Sequence, residues 1–141
     1  MEKLQYIVVA GLIKKDNKFL VVFKHSSSSN KCLNRWELPG GRAGFGLDFD
    51  TALKEKLKDY LGVNVTSIKI LPKVFSNISE ERQIIKHFYV LAGQCELAHG
   101  SIQLNNNKLS EYKWITLDEA EKMYANDLLV DGDLEFIRMS I

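Results

Sequence analysis

Apolar residues open the chain in two bursts. Tyr6–Ile13 and Phe19–Lys24 are short, rich in Val and Ile, and separated by Lys14-Lys15-Asp16-Asn17-Lys18. This pattern predicts two antiparallel strands with a turn at Asp16–Asn17. Ser26–Asn30, four serines and an asparagine, predicts a mobile surface loop. Trp36–Leu38 reads as a short strand before a Pro39-Gly40-Gly41 turn, and Arg42–Leu47, holding Gly44 and Gly46, as irregular. The period then changes. Leu53, Leu57 and Leu61 recur every four residues and give a helix one apolar stripe. Asp48 is its expected N-cap, Asp50 suits its positive end, and Gly62 stops it. Thr66–Phe75 and Gln83–Ala92 return to a strand pattern, with Glu111–Ile115 as a shorter strand. Leu117–Tyr124 should be helical, with Thr116 as cap and Glu119 completing a capping box. Leu134–Ile141 reads as a last helical segment. No repeat or linker divides residues 1–141, so the expectation is a single α+β or layered α/β domain.

Composition narrows the function classes. With 45% apolar and 26% charged residues in 141, the chain should fold around a core of its own. Its formal net charge is +1 with no basic run, so no general electrostatic grip on nucleic acid is expected. Cys32 and Cys95 are the only cysteines, far apart and outside any C-x-x-C spacing. They suggest neither a zinc site nor a disulfide framework, and a reduced cytoplasmic setting is the expectation. Lys3 before the first apolar run faintly suggests a signal peptide. The run lacks a cleavage site of small residues, and a second apolar run follows at once, so the hairpin is preferred. No apolar stretch reaches the length of a membrane span.

The most specific stretch is Trp36-Glu37-Leu38-Pro39-Gly40-Gly41 and the residues after it. From Gly41 the chain is similar, without a gap, to the Nudix box G-x5-E-x7-R-E-U-x-E-E-x-G-U, where U is bulky and aliphatic. The frame matches at Leu57, Gly62 and Val63. Both flanks agree. Val8-Val9-Ala10-Gly11 and Leu20-Val21-Val22 resemble the family's opening hairpin. Glu111-x-x-Trp114 and Leu117-Asp118-Glu119-Ala120 resemble its closing strand and helix. The resemblance implies a Nudix-like α/β/α sandwich around a mixed β-sheet, with a loop–helix–loop at the active cleft. It also implies hydrolysis of a nucleoside diphosphate linked to another group, with Mg²⁺ or Mn²⁺ held on box glutamates. Carboxylates at i, i+3 and i+4 suit that task, because they share one helical face and hard divalent ions want oxygen ligands.

The acidic positions of the box are largely replaced. They fall on Leu47, Lys56, Asp59 and Tyr60, and the arginine falls on Glu55. Their summed charge is about zero rather than minus four. At ~6 Å and an effective dielectric of ~20, Lys56 and a divalent ion repel by roughly 5 kcal/mol. The preferred expectation is therefore a protein that binds a nucleotide or nucleoside-diphosphate derivative with impaired or lost hydrolysis. In it Lys56 and Arg42 meet phosphate, assisted by the backbone of Gly40 and Gly41. The alternative reading of Lys56 is a solvated helix charge.

A second class is a metal-dependent pyrophosphohydrolase with a rearranged site, and a third is a non-hydrolytic activity on a diphosphate. For the second, Asp59, Glu55 and Glu37 are the metal candidates, with Asp59 and Glu111 as catalytic candidates. Each has a structural reading beside it: Glu55 as an ion-pair partner, Glu37 as a strand-end residue held by a cation, Glu111 as a structural hydrogen-bonding group. Glu80 and Glu81 form an ambiguous loop pair beside Arg82. Tyr60 is expected to pack with its hydroxyl at the cleft edge. His25 and His87 read as packing or surface residues. Trp36, Phe45 and Tyr112 read either as platforms for a base or as core and rim. A homodimer would be compatible with the exposed strands.

Overall fold

The structure is a computed structural model that describes residues 1–24, 34–99 and 101–140. The readings made for Ser26–Asn30, His25 and Cys32 lie outside these residues. The elements are β1 (Glu2–Lys15), β2 (Lys18–Phe23), β3 (Trp36–Glu37), β4 (Gly40–Arg42), α1 (Phe49–Leu61), β5 (Asn64–Glu81), β6 (Ile84–His99), β7 (Glu111–Ile115), α2 (Leu117–Ala125) and α3 (Asp133–Met139). The predicted hairpin forms only at its tip, where Lys14 pairs with Phe19. The run Tyr6–Ile13 lies instead parallel to β6 and, at Val8–Ala10, antiparallel to β4. Asp16 and Asn17 take φ of 52° and 61°, and Lys15 pairs with Lys18 across them. Two consecutive left-handed residues match the twist of the flanking strands, and Asp and Asn tolerate that region well.

The sheet runs β3-β2-β1-β6-β5, with β4 added to β1 and β7 to β2. β1 and β6 are parallel from Glu2↔Ile84 to Ile13↔Cys95, and β6 and β5 form a long antiparallel hairpin. Period-2 alternation divides the sheet between two layers. Val9, Ile13, Leu20 and Val22 pack with Ala52, Leu53, Leu57 and Leu61 of α1. Ala10, Leu12, Phe19 and Val21 pack with Ala120 and Met123 of α2 and with Leu134, Phe136 and Ile137 of α3. A sheet covered on both faces needs continuous apolar strands, which is why the first two bursts in the sequence do not alternate with polar residues. The layering is the expected α/β/α sandwich.

Helix α1 begins and ends as its sequence indicates. The Asp48 side chain accepts from the Thr51 N–H, and Gly62 closes the helix at φ 66°. The leucine stripe is fully buried, each side chain contributing roughly 1.5–3 kcal/mol relative to exposure. Thr116 and Glu119 form the predicted capping box of α2. Four expectations are corrected. Gly40–Arg42 is not a turn and irregular loop but a strand, paired as Ala10↔Gly40, Val9↔Gly41 and Val8↔Arg42. Strands β5 and β6 are longer than Thr66–Phe75 and Gln83–Ala92, and Gln83 lies in their turn. Glu80 and Glu81 end β5 instead of forming a loop pair. Helix α3 begins one residue before Leu134.

Candidate functional site

β4 is placed by glycine. A β-carbon at position 40 would collide with the Val9 carbonyl oxygen, so only Gly lets β4 lie against β1 there. Pro39 then accepts from the Gly11 N–H at 2.7 Å. Next along, Gly41 faces α1. A β-carbon on it would stand 3.0 Å from the Tyr60 hydroxyl and 3.3 Å from Lys56 Cδ. Lys56 and Tyr60 are four apart on one helical face, and Lys56 Nζ lies 5.9 Å from the Tyr60 ring centroid. Both are half-buried. The strand that carries the Pro-Gly-Gly motif is thus covered by an ammonium-bearing chain and a phenol.

Burial, first of all, pushes the Tyr60 hydroxyl above the ordinary phenol range; Asp59 and Glu37 add to this and Arg42 opposes it. At neutral pH the phenol keeps its proton and can donate it in a hydrogen bond.

Beside this pair opens a cleft of about 620 Å³. Its floor is the α1 face of β1 and β6, including Ile7, Val9 and Leu91. Its other wall is the loop 43–48 with Phe45 and Leu47, closed by Phe49 and Ala52 of α1. Phe45 is fully exposed, and Leu47 folds back on Gly44. Arg42 borders the cleft, but it is in register with Val8, and its guanidinium lies 3.9 Å from the Tyr6 ring centroid on the sheet face away from α1. It therefore does not join Lys56 as expected. Tyr6 in turn stacks on Phe88. Lys56 follows Ala52 by one helical turn, so it stands just past the inner end of the cleft.

The remaining candidates do not assemble into a metal centre. Among the described residues, no three His, Cys, Asp or Glu side chains stand close enough together to hold a metal ion. Glu37, Glu55 and Asp59 therefore do not form the displaced site proposed for them. Glu55 and Asp59 are exposed on α1, and the Asp59 carbonyl accepts from Asn105. Divalent ions such as Mg²⁺ want several oxygen ligands, whereas this face offers an ammonium, a protonated phenol and one exposed carboxylate. The residues present do not fit that ion.

Glu111 opens β7 opposite Phe23 and is not among the cleft residues. Trp36 is no open platform: Phe23 packs on it at 5.2 Å and Lys113 Nζ lies 4.2 Å from its ring. Tyr112 is on β7, outside the cleft lining. Of the three aromatic candidates, Phe45 alone lines the cleft.

One residue that the sequence reading passed over stands directly behind the motif. Asp133, 6% exposed at the start of α3, accepts from the Leu38 N–H at 2.9 Å. Burial, more than its neighbours Glu37 and Asp131, holds its carboxyl well above the usual range, against the lowering effect of the Leu38 bond. Its signal in the sequence is weak, because an Asp after Asp131-Gly132 reads as a turn or cap residue.

Comparison with known proteins places these features. The NUDIX domain profile matches residues 4–138. Among solved structures, a MutT NUDIX hydrolase from Burkholderia pseudomallei superposes with TM-score 0.77 at 16% identity, covering 97% of this chain and 98% of its own. The NUDIX domain of Shewanella oneidensis NrtR, solved with ADP ribose, gives TM-score 0.73 at 20% identity over 96% and 86%. The Escherichia coli ORF135 protein gives 0.65 at 22% identity over 96% and 87%. No protein of curated function matches the sequence.

Proposed function

This chain belongs to the Nudix family, and from that premise we propose that it binds a nucleoside-diphosphate derivative without the family's metal and with hydrolysis impaired or lost. The observation that carries the reading is the Lys56–Tyr60 pair covering Gly41. Binding of a diphosphate needs positive charge and donors. Lys56 supplies a compact cation and Tyr60 an O–H donor, both on the α1 side of the sheet. The ADP ribose bound by the Shewanella oneidensis NrtR domain supports a nucleotide derivative as the ligand class. In this reading the diphosphate lies at the Lys56 end and the organic part extends along the apolar cleft.

Hydrolysis needs an activated water as well as a bound diphosphate. Among the described residues no group of three His, Cys, Asp or Glu side chains includes Asp59, so it lacks the set of ligands that would fix an ion and its water. Turnover of a panel of nucleoside diphosphate derivatives with Mg²⁺ or Mn²⁺ tests the reading. The expected result is no metal-dependent hydrolysis above background. Robust hydrolysis that Asp59→Ala abolishes in a folded protein would overturn it in favour of the pyrophosphohydrolase.

A further inference from the structure

The cleft floor carries a polar group at its outer end. On β1 the residues facing α1 are Gln5, Ile7 and Val9. In register with them on β6 are His87, Tyr89 and Leu91. Gln5 lines the cleft, and its Nε2 lies 3.1 Å from His87 Nδ1. An amide nitrogen can only donate, so this pairing uses the imidazole tautomer in which Nδ1 accepts. The ring is held from its other side by Tyr89, with centroids 4.4 Å apart. In that tautomer the amide oxygen faces away from His87. One N–H is spent on His87, while Oε1 and the second N–H stay available to a ligand.

Resting on the reading above, we infer that the cleft holds a purine ring carrying an amino group, and that Gln5 reads its edge. The ring lies between the floor residues Ile7 and Leu91 and the fully exposed Phe45. The Gln5 oxygen accepts from the exocyclic amino group, and the amide N–H donates to the neighbouring ring nitrogen. This is the donor–acceptor match between a glutamine amide and the N6/N7 edge of adenine. A 6-oxo purine puts an acceptor against Oε1. His87 is a positioning residue: it touches Gln5 and sets the amide. The family's box glutamate would have stood at the cleft wall, but Leu47 stands there instead, and the wall is apolar from Phe45 to Phe49 apart from Asp48, whose carboxylate caps α1.

Isothermal titration with adenosine diphosphate, inosine diphosphate and inorganic pyrophosphate, all in EDTA, tests this. The parent should prefer the adenine nucleotide about tenfold. Gln5→Leu and His87→Ala should bring the two nucleotides to near parity. His87→Asn, which can still accept from the amide, should restore the preference, an outcome a merely structural role would not give. Phe45→Ala should weaken both nucleotides and leave pyrophosphate unchanged. Equal affinity for both nucleotides in the parent, or a preference unmoved by Gln5→Leu, overturns the inference while pyrophosphate binding leaves the proposed function standing. Failure of all three probes to bind overturns both.

Discussion

The Tyr60 hydroxyl lies 3.0 Å from the point that a β-carbon on Gly41 would occupy. The helix face that in the family presents carboxylates here presents a phenol and the stem of Lys56 to that strand. A methyl group at 41 meets the ends of two long side chains, whereas one at 40 meets backbone. Gly41→Ala should therefore fold, at a cost of about 1–3 kcal/mol, and weaken ligand binding by displacing Lys56 and Tyr60. Gly40→Ala should cost more than that and reduce soluble yield. Urea denaturation of the two variants checks the order, and equal stabilities would contradict the geometry.

Asp133 should make stability fall as pH rises. Its folded-state pKa is raised above the ordinary 3.8. Below that value the carboxyl is protonated in both states and imposes no penalty. As pH rises the unfolded chain ionises first, and stability is lost until the folded carboxyl also ionises. Asp133→Asn keeps an acceptor for the Leu38 N–H but cannot ionise. Relative to the parent it should gain stability as pH rises above the ordinary carboxylate value of 3.8, with the difference vanishing at the acid end. Asp133→Ala should instead lose about 1–3 kcal/mol, because the buried Leu38 N–H loses its partner. A pH-independent difference between Asn and Asp would contradict the assignment.

How far these residues could be read from sequence depended on the range of the interaction. Local signals carried through: Asp48 and Gly62 bound α1, Thr116 and Glu119 cap α2, and Glu111–Ile115 is β7 as expected. The strand at Gly40–Arg42 was hidden because Pro-Gly-Gly is ordinarily a turn, and only the approach of the Val9 carbonyl explains its glycine. The end of β5 at residues 76–81 is mostly polar and exposed, which hides it. The end of β6 does alternate, with Cys95 and Leu97 inward between Gln94 and Glu96, but behind a Gly93 that reads as a break. The cleft was illegible for another reason. Gln5 meets His87 through parallel pairing of strands 82 residues apart, which no local pattern encodes. Asp133 reaches Leu38 across 95 residues in the same way. The departures from the box, by contrast, needed only the alignment of Leu47, Lys56 and Tyr60.

Cys95 should be chemically silent in the native protein. It is buried in the layer under α1, and burial pushes its thiol up to about 12. A thiol with so little thiolate at neutral pH reacts slowly even where a reagent can reach it. Alkylation with iodoacetamide, read on the Cys95 peptide by mass spectrometry, should be negligible in native buffer and complete in denaturant. Rapid native labelling would show that this layer opens.

Binding without metal is open to one direct measurement. The affinity of adenosine diphosphate is determined by calorimetry in Mg²⁺ and in EDTA, for the parent and for Lys56→Ala. Affinity should be the same in both buffers and fall tenfold or more on removing the ammonium, on the order of 1.5–3 kcal/mol for a charged hydrogen bond. Affinity that disappears in EDTA, or that is indifferent to Lys56, would contradict metal-free binding through Lys56.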